Sequence, residues 1–120
     1  MKTVAIVQAR LGSIRLPNKV MKSVNGVPLI ELLLSRLSCA EELDEIVVAI
    51  PSSIQNDPLA EFIEDLGYLC VRGSERDVLQ RYFDAAVASD ADVVVRVTGD
   101  CPLIDPDLVN RAVNHFKMCE

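Results

Sequence analysis

Thr3-Val4-Ala5-Ile6-Val7-Gln8 is short, β-branched and almost continuously apolar. A strand with no polar side to its alternation is covered on both faces, which is how strands sit in parallel sheets. Residues 45 to 50 (Glu-Ile-Val-Val-Ala-Ile), closed by Pro51, and residues 92 to 98 (Asp-Val-Val-Val-Arg-Val-Thr) read the same way. Residues 68 to 71 (Tyr-Leu-Cys-Val) are a weaker strand. The stretches between them have helical spacing. Ile30, Leu33, Leu34 and Leu37 fall at i, i+3, i+4 and i+7, as do Leu59, Phe62, Ile63 and Leu66. Leu79, Tyr82, Phe83 and Ala86 repeat the pattern, and so do Val109, Ala112, Val113 and Phe116.

The punctuation agrees with this alternation. Asp57-Pro58 and Asp105-Pro106 each set a capping carboxylate before a proline at the first helical position. Ser74 with Asp77 resembles a capping box, and Gly67 stands where the second helix should stop. The order β-α-β-α-β-α-β-α predicts an α/β fold, a three-layer α/β/α domain over residues 1–120 with a mainly parallel sheet. In such sheets ligands bind beyond the carboxyl ends of the strands, where the strand order reverses. The loops of interest are therefore 9–26, 51–56, 72–75 and 99–105.

Composition narrows the function classes. Half of the 120 residues are hydrophobic and a quarter are charged, an ordinary globular mixture. The apolar runs fall far short of the ~18 residues of a membrane span, and residues 1–4 lead straight into strand-like sequence; a cytoplasmic protein without membrane contact is expected. Cys39, Cys70, Cys101 and Cys119 are widely spaced and only His115 accompanies them, so buried reduced thiols are expected rather than structural zinc. The net charge of −6 argues against nucleic acid as a partner. Yet residues 1–30 hold five of the twelve basic side chains and no acidic one. A locally basic start on an acidic chain points to a small anionic ligand.

That basic segment is mostly the loop Gln8-Ala9-Arg10-Leu11-Gly12-Ser13-Ile14-Arg15-Leu16-Pro17-Asn18-Lys19. It is long for a βα connection. Guanidinium and ammonium groups with glycine between them suit phosphate oxygens, although the spacing is neither a Walker A loop nor GxGxxG. A solvated basic loop is the plain reading. Asp100, just past the last strand in Thr98-Gly99-Asp100-Cys101-Pro102-Leu103-Ile104-Asp105, is either a magnesium ligand or a turn former; Asp105 is a helix cap. Arg72-Gly73-Ser74-Glu75-Arg76-Asp77-Val78 is either a capped helix start or a backbone edge for a base or ribose. Arg96 lies inside an apolar strand and needs a partner, a carboxylate or a phosphate. His115, late in a helix, suits the helix dipole.

Taken together, residues 8–19 resemble the sugar-nucleotide cytidylyltransferase signature ARxGSxRLPGK, with Asn18 at the glycine position. Residues 95–105 resemble the second signature of the branch called spore coat polysaccharide biosynthesis protein F, and Asp44–Ala49 and Arg72–Glu75 fit that branch too. The resemblance runs through essentially all 120 residues and corresponds to the family's N-terminal half. It implies a Rossmann-like nucleotide-diphospho-sugar transferase (GT-A-like) fold, truncated to its nucleotide-binding part. It implies transfer of CMP from CTP to a sugar, acidic in related enzymes, for surface polysaccharide or glycan synthesis. By that resemblance Gln8 and Ala9 offer backbone to the base, and Arg10, Arg15 and Lys19 hold the triphosphate, with Arg15 and Lys19 the catalytic candidates. Gly12 and Ser13 supply close backbone, Gly73 and Ser74 lie near the nucleotide, and Asp100 binds Mg²⁺. The remaining half would carry most of the sugar site and the dimer contacts, so a second copy or a partner chain is expected over the bare sheet edge. The alternatives are a non-catalytic nucleotide-binding or assembly module, or another GT-A-like transferase.

Overall fold

The computed structural model describes residues 2–10, 23–24, 27–98 and 104–118. Strand β1 (Thr3–Gln8) has the bounds read from the sequence. A two-residue hairpin follows, β2 (Ser23–Val24) pairing antiparallel with β3 (Val27–Pro28), which the sequence reading left inside the long loop. Then come α1 (Leu29–Leu37), β4 (Glu45–Pro51), a 3-10 turn (Ile54–Asn56), α2 (Asp57–Asp65), β5 (Leu69–Gly73), α3 (Val78–Ala88), β6 (Val93–Thr98) and α4 (Pro106–Met118). The weak strand lies a residue or two later than expected.

The four long strands form one parallel sheet in the order β5-β4-β1-β6. The chain steps outward from β1 through β4 to β5, then returns to the other side of β1. The strand order therefore reverses between β1 and β6, which pair residue for residue from Thr3 with Val93 to Gln8 with Thr98.

Alternation along β1 sorts the core into two faces. Ala5, Val7 and Ala9 join Val48 and Ile50 beneath Ile30, Leu33, Leu34 and Leu37 of α1, Leu59 and Ile63 of α2, and Val109 and Val113 of α4. Val4 and Ile6 join Val47 and Ala49 beneath Tyr82 and Ala85 of α3. Helices thus cover both faces, giving the three layers expected, with α3 the one described helix on the second face. The helix stops and starts are local chemistry. Gly67 takes φ +95, with its own N–H bonded to the Glu64 carbonyl and that of Tyr68 to Ile63, a left-handed helix end that favours glycine. Asp105 accepts from the Asp107 N–H at 2.9 Å and caps α4 as read.

Several expectations fail. Asp57 does not cap α2: it lies inside the helix, and its carboxylate takes the Arg72 guanidinium at 3.0 Å instead. The capping residue of α3 is Asp77, which accepts from the Gln80 N–H, while the Ser74 hydroxyl accepts from the Asp77 N–H. The predicted core stripe of α3 is rotated: Leu79 and Phe83 are 69% and 62% exposed, and the buried residues are Arg81, Tyr82 and Ala85. On α4 likewise Val109 and Val113 are buried, whereas Ala112 and Phe116 are exposed. Strand β6 is not covered on both faces either, since α3 packs over β1, β4 and β5 and leaves Val94, Arg96 and Thr98 exposed. Cys39 is an exposed thiol rather than a buried one; Cys70 is half-buried, and burial pushes its pKa up to about 11. Among the described residues no helix is long and apolar enough to cross a membrane.

Candidate functional site

The reversal of strand order fixes where a ligand can sit. At the carboxyl end of the sheet Gln8 and Thr98 are neighbours, so the segments that leave β1 and β6 start side by side. This is the crevice position of open α/β sheets. The two sequence segments richest in candidate chemistry begin there.

At the start of the first segment, Ala9 is buried and its N–H donates to the Ala49 carbonyl at 3.1 Å. The pairing of β1 with β4 thus continues one residue beyond Gln8, and the Ala9 N–H is engaged within the sheet. Arg10 follows and is exposed. Gly12, Ser13, Arg15, Lys19 and Asp100 lie outside the described residues. Among the described residues no group of three or more His, Cys, Asp or Glu side chains gathers as metal ligands.

The third segment is described in full. Gly73 ends β5 opposite Pro51, and its carbonyl accepts from the Ser52 N–H at 2.9 Å. Arg72 donates to the carbonyls of Pro51 and Ser53 and to Asp57, clamping the connection after β4. Its role is local, so of the two readings of this segment the capped helix start is present. The backbone edge remains at Gly73 and Ser74.

Behind that edge stands a residue that the sequence reading missed. Arg81, in the first turns of α3, is 1% exposed. Its Nη1 donates to the carbonyls of Ser74 at 2.7 Å and Glu75 at 3.0 Å. Its Nε and Nη2 are buried and have no hydrogen-bond partner among the described residues. Glycine at 73 is what lets it in: a Cβ there would stand 3.2 Å from Arg81 Cγ and 3.4 Å from Asp84 Oδ2. Burial, and then the positive charge of Arg10, lower the Arg81 pKa. Asp77 and Glu75 act in the opposite direction more weakly. The one available signal was that Arg81 is the only cation between Arg76 and Arg96.

Among the described residues no carboxylate pairs with Arg96. It is exposed and lies over the Tyr82 ring, 4.5 Å from the centroid. Such stacking is worth ~0.5–1 kcal/mol at an exposed site. The Tyr82 hydroxyl donates to the Val97 carbonyl at 3.2 Å, tying α3 to the carboxyl end of β6. His115 is in the last turn of α4, as read from the sequence, and it is exposed.

A family model described as cytidylyltransferase matches residues 4–119. The chain is 34% identical over 116 residues to the spore coat polysaccharide biosynthesis protein SpsF of Bacillus subtilis, covering 92% of this chain and 48% of that protein. It is 34% identical over 119 residues to a 3-deoxy-manno-octulosonate cytidylyltransferase of Brucella ovis, covering 94% and 45%. A solved cytidylyltransferase from Leptospira borgpetersenii superposes with a TM-score of 0.93 at 36% identity, over 98% of this chain and 50% of that one. The chain thus spans about half the length of the curated relatives it matches.

Proposed function

Because the chain belongs to the cytidylyltransferase family, we propose that it forms the nucleotide-binding part of an enzyme that transfers CMP from CTP to a sugar. The observation that supports this reading is that β1 and β6 end side by side, Gln8 beside Thr98, at the reversal of strand order, and that residues 9–19 and 99–105 follow them in sequence. Those segments hold the two signatures, and that crevice is where such sheets bind ligands. An acidic sugar fits the relative named for 3-deoxy-manno-octulosonate, and surface polysaccharide synthesis fits the relative named for the spore coat.

In the proposed reaction a sugar oxygen attacks the α-phosphorus of CTP. The new P–O bond forms as the bond to the bridging oxygen breaks, and pyrophosphate leaves with that electron pair. The work of the protein is positioning and charge neutralisation. Arg10, Arg15 and Lys19 hold the triphosphate, and Arg15 and Lys19 meet the charge that builds on the leaving group. Gly12 and Ser13 bring backbone N–H groups close to the phosphates. Gln8 and Ala9 with Gly73 and Ser74 border the base and ribose. Asp100 would hold Mg²⁺, which would neutralise phosphate charge. Each of these roles is part of the proposal.

Titration calorimetry with CTP and Mg²⁺, against ATP, GTP and UTP, tests it. Selective binding of CTP is expected, and Arg15→Ala and Asp100→Asn are each expected to weaken it about tenfold or more. Unchanged affinity in both variants would remove these residues from the site. Pyrophosphate release with candidate acidic sugars separates an enzyme from a binding module: CTP binding without turnover would favour the module.

A further inference from the structure

Arg81 is held by half of its guanidinium. Nη1 serves the Ser74 and Glu75 carbonyls, and a role confined to bracing that loop needs nothing more. Nε and Nη2 remain buried without a partner. Those two nitrogens form one edge of the guanidinium, with parallel N–H bonds that match a pair of oxygens on one acid group.

The energetics say what class of group is missing. A buried N–H without a partner costs about 1–3 kcal/mol, and more when the group is charged. A buried unpaired charge is worse, because desolvation is then not offset by any counter-ion. Among the described residues Arg81 makes no ion pair, and the nearby charge of Arg10 adds repulsion. A neutral pair of acceptors would satisfy the two N–H groups and leave the charge. An oxyanion satisfies both. The place agrees: Arg81 lies against Gly73, beside Ser74, within electrostatic reach of Arg10.

We infer that Arg81 is an oxyanion receptor of this site, its Nε–Nη2 edge taking two oxygens of one phosphate group of the bound nucleotide beside Arg10. The assignment of the anion to a nucleotide rests on the function proposed above. The receptor itself rests on the unpartnered edge.

The test uses two probes on the chain and three variants. Inorganic tripolyphosphate reports the receptor, and CTP against UTP, ATP and GTP reports the nucleotide reading. Arg81→Met removes the charge and every donor. Arg81→Lys keeps the charge and a donor for the two loop carbonyls but has no fork, which guards against a variant that fails to fold. Arg111→Met, at an exposed position of α4 away from the site, controls for net charge. Arg81→Met and Arg81→Lys are each expected to weaken tripolyphosphate binding about tenfold or more, with Arg111→Met unchanged. Equal tripolyphosphate affinity in folded wild type and Arg81→Lys would overturn the receptor. If tripolyphosphate binding depends on Arg81 but CTP shows no selectivity, the receptor stands and the CTP reading falls. If CTP binds selectively and equally well in both Arg81 variants, the reverse holds. A wild type that binds neither probe overturns both.

Discussion

The two ends of the parallel sheet are built on opposite plans. At the amino end, β1 is locked to both neighbours by reciprocal bonds. The Thr3 N–H donates to the Asp44 carboxylate while the Asp44 N–H donates to the Thr3 carbonyl, both at 2.7 Å. The Lys2 N–H and Asp92 repeat the exchange at 2.7 and 2.8 Å. Asp44 and Asp92 each stand one residue before the strand they anchor, β4 and β6. At the carboxyl end, Arg72 commits Nε and Nη2 to Pro51, Ser53 and Asp57, but Arg81 keeps two buried donors in reserve, within electrostatic reach of Arg10. The amino end closes its backbone N–H groups on carboxylates, with only the neutral Thr3 hydroxyl oxygen buried and unpartnered there among the described residues, whereas the carboxyl end leaves two donors of a cation open. That division lets stability and ligand binding be altered separately, which gives the contrast its experimental content.

The largest effect is expected at the closed end. Asp44→Ala strips the acceptor from the N–H of Thr3, a residue that is 0% exposed. Leaving a buried donor unmade costs about 1–3 kcal/mol, and urea unfolding is expected to show a loss of that size with the slope unchanged. Asp92→Ala, where the donor is more exposed, is expected to lose less. Tripolyphosphate affinity of the folded variants is expected to equal that of wild type. A loss of anion binding in Asp44→Ala would break the contrast, because the ends would then be coupled.

This contrast was only partly legible in the sequence. The β-branched runs located β1, β4 and β6, and the Ile30, Leu33, Leu34, Leu37 spacing gave the buried face of α1. Loop chemistry and the strand alternation together pointed to the carboxyl end as the ligand side. Helix α3 defeated the same method because Val78, Leu79, Tyr82, Phe83, Ala85, Ala86 and Val87 surround it with apolar groups. Periodicity cannot choose among such faces. Two tertiary facts choose: the bond of the Tyr82 hydroxyl to the Val97 carbonyl, and a residue at 73 small enough for Arg81 to enter. Once that face is down, Leu79, Phe83 and Val87 are outward and Arg81 is inward. Neither the rotation nor the half-used guanidinium has a signature in residue order.

A middle-sized effect, at the open end, sharpens the comparison. Gly73→Ala places a Cβ 3.2 Å from Arg81 Cγ and 3.4 Å from Asp84 Oδ2. The first contact is tight, so the start of α3 must give way by a few tenths of an ångström. Overpacking of this kind costs about 1–3 kcal/mol, and the lower part of that range is expected because Arg81 Cγ belongs to a long side chain. The shift moves the Nε–Nη2 edge as well. Gly73→Ala is therefore expected to weaken tripolyphosphate binding while losing less stability than Asp44→Ala. A variant that loses only stability would show that the position serves packing and not the receptor.

The smallest effect separates hydrogen bonds from surface charge at the closed end. Lys2 also pairs with Glu45, Nζ to Oε1, at 2.9 Å, and that hydrogen bond is the main cause that raises the Lys2 pKa above its ordinary 10.5. Both side chains are solvent-accessible, so screening by water and salt leaves the pair little to contribute. The sign follows from the raised pKa. The charged lysine is favoured by folding, so the contribution is complete below pH 10.5 and is lost as the pH climbs past that value. Glu45→Gln is accordingly expected to unfold at nearly the same urea concentration as wild type at pH 7, with the remaining gap closing in high salt or at alkaline pH. A loss as large as that of Asp44→Ala would assign the closed end to its ion pair. The equality expected instead assigns it to the reciprocal backbone–carboxylate bonds, which no surface charge replaces.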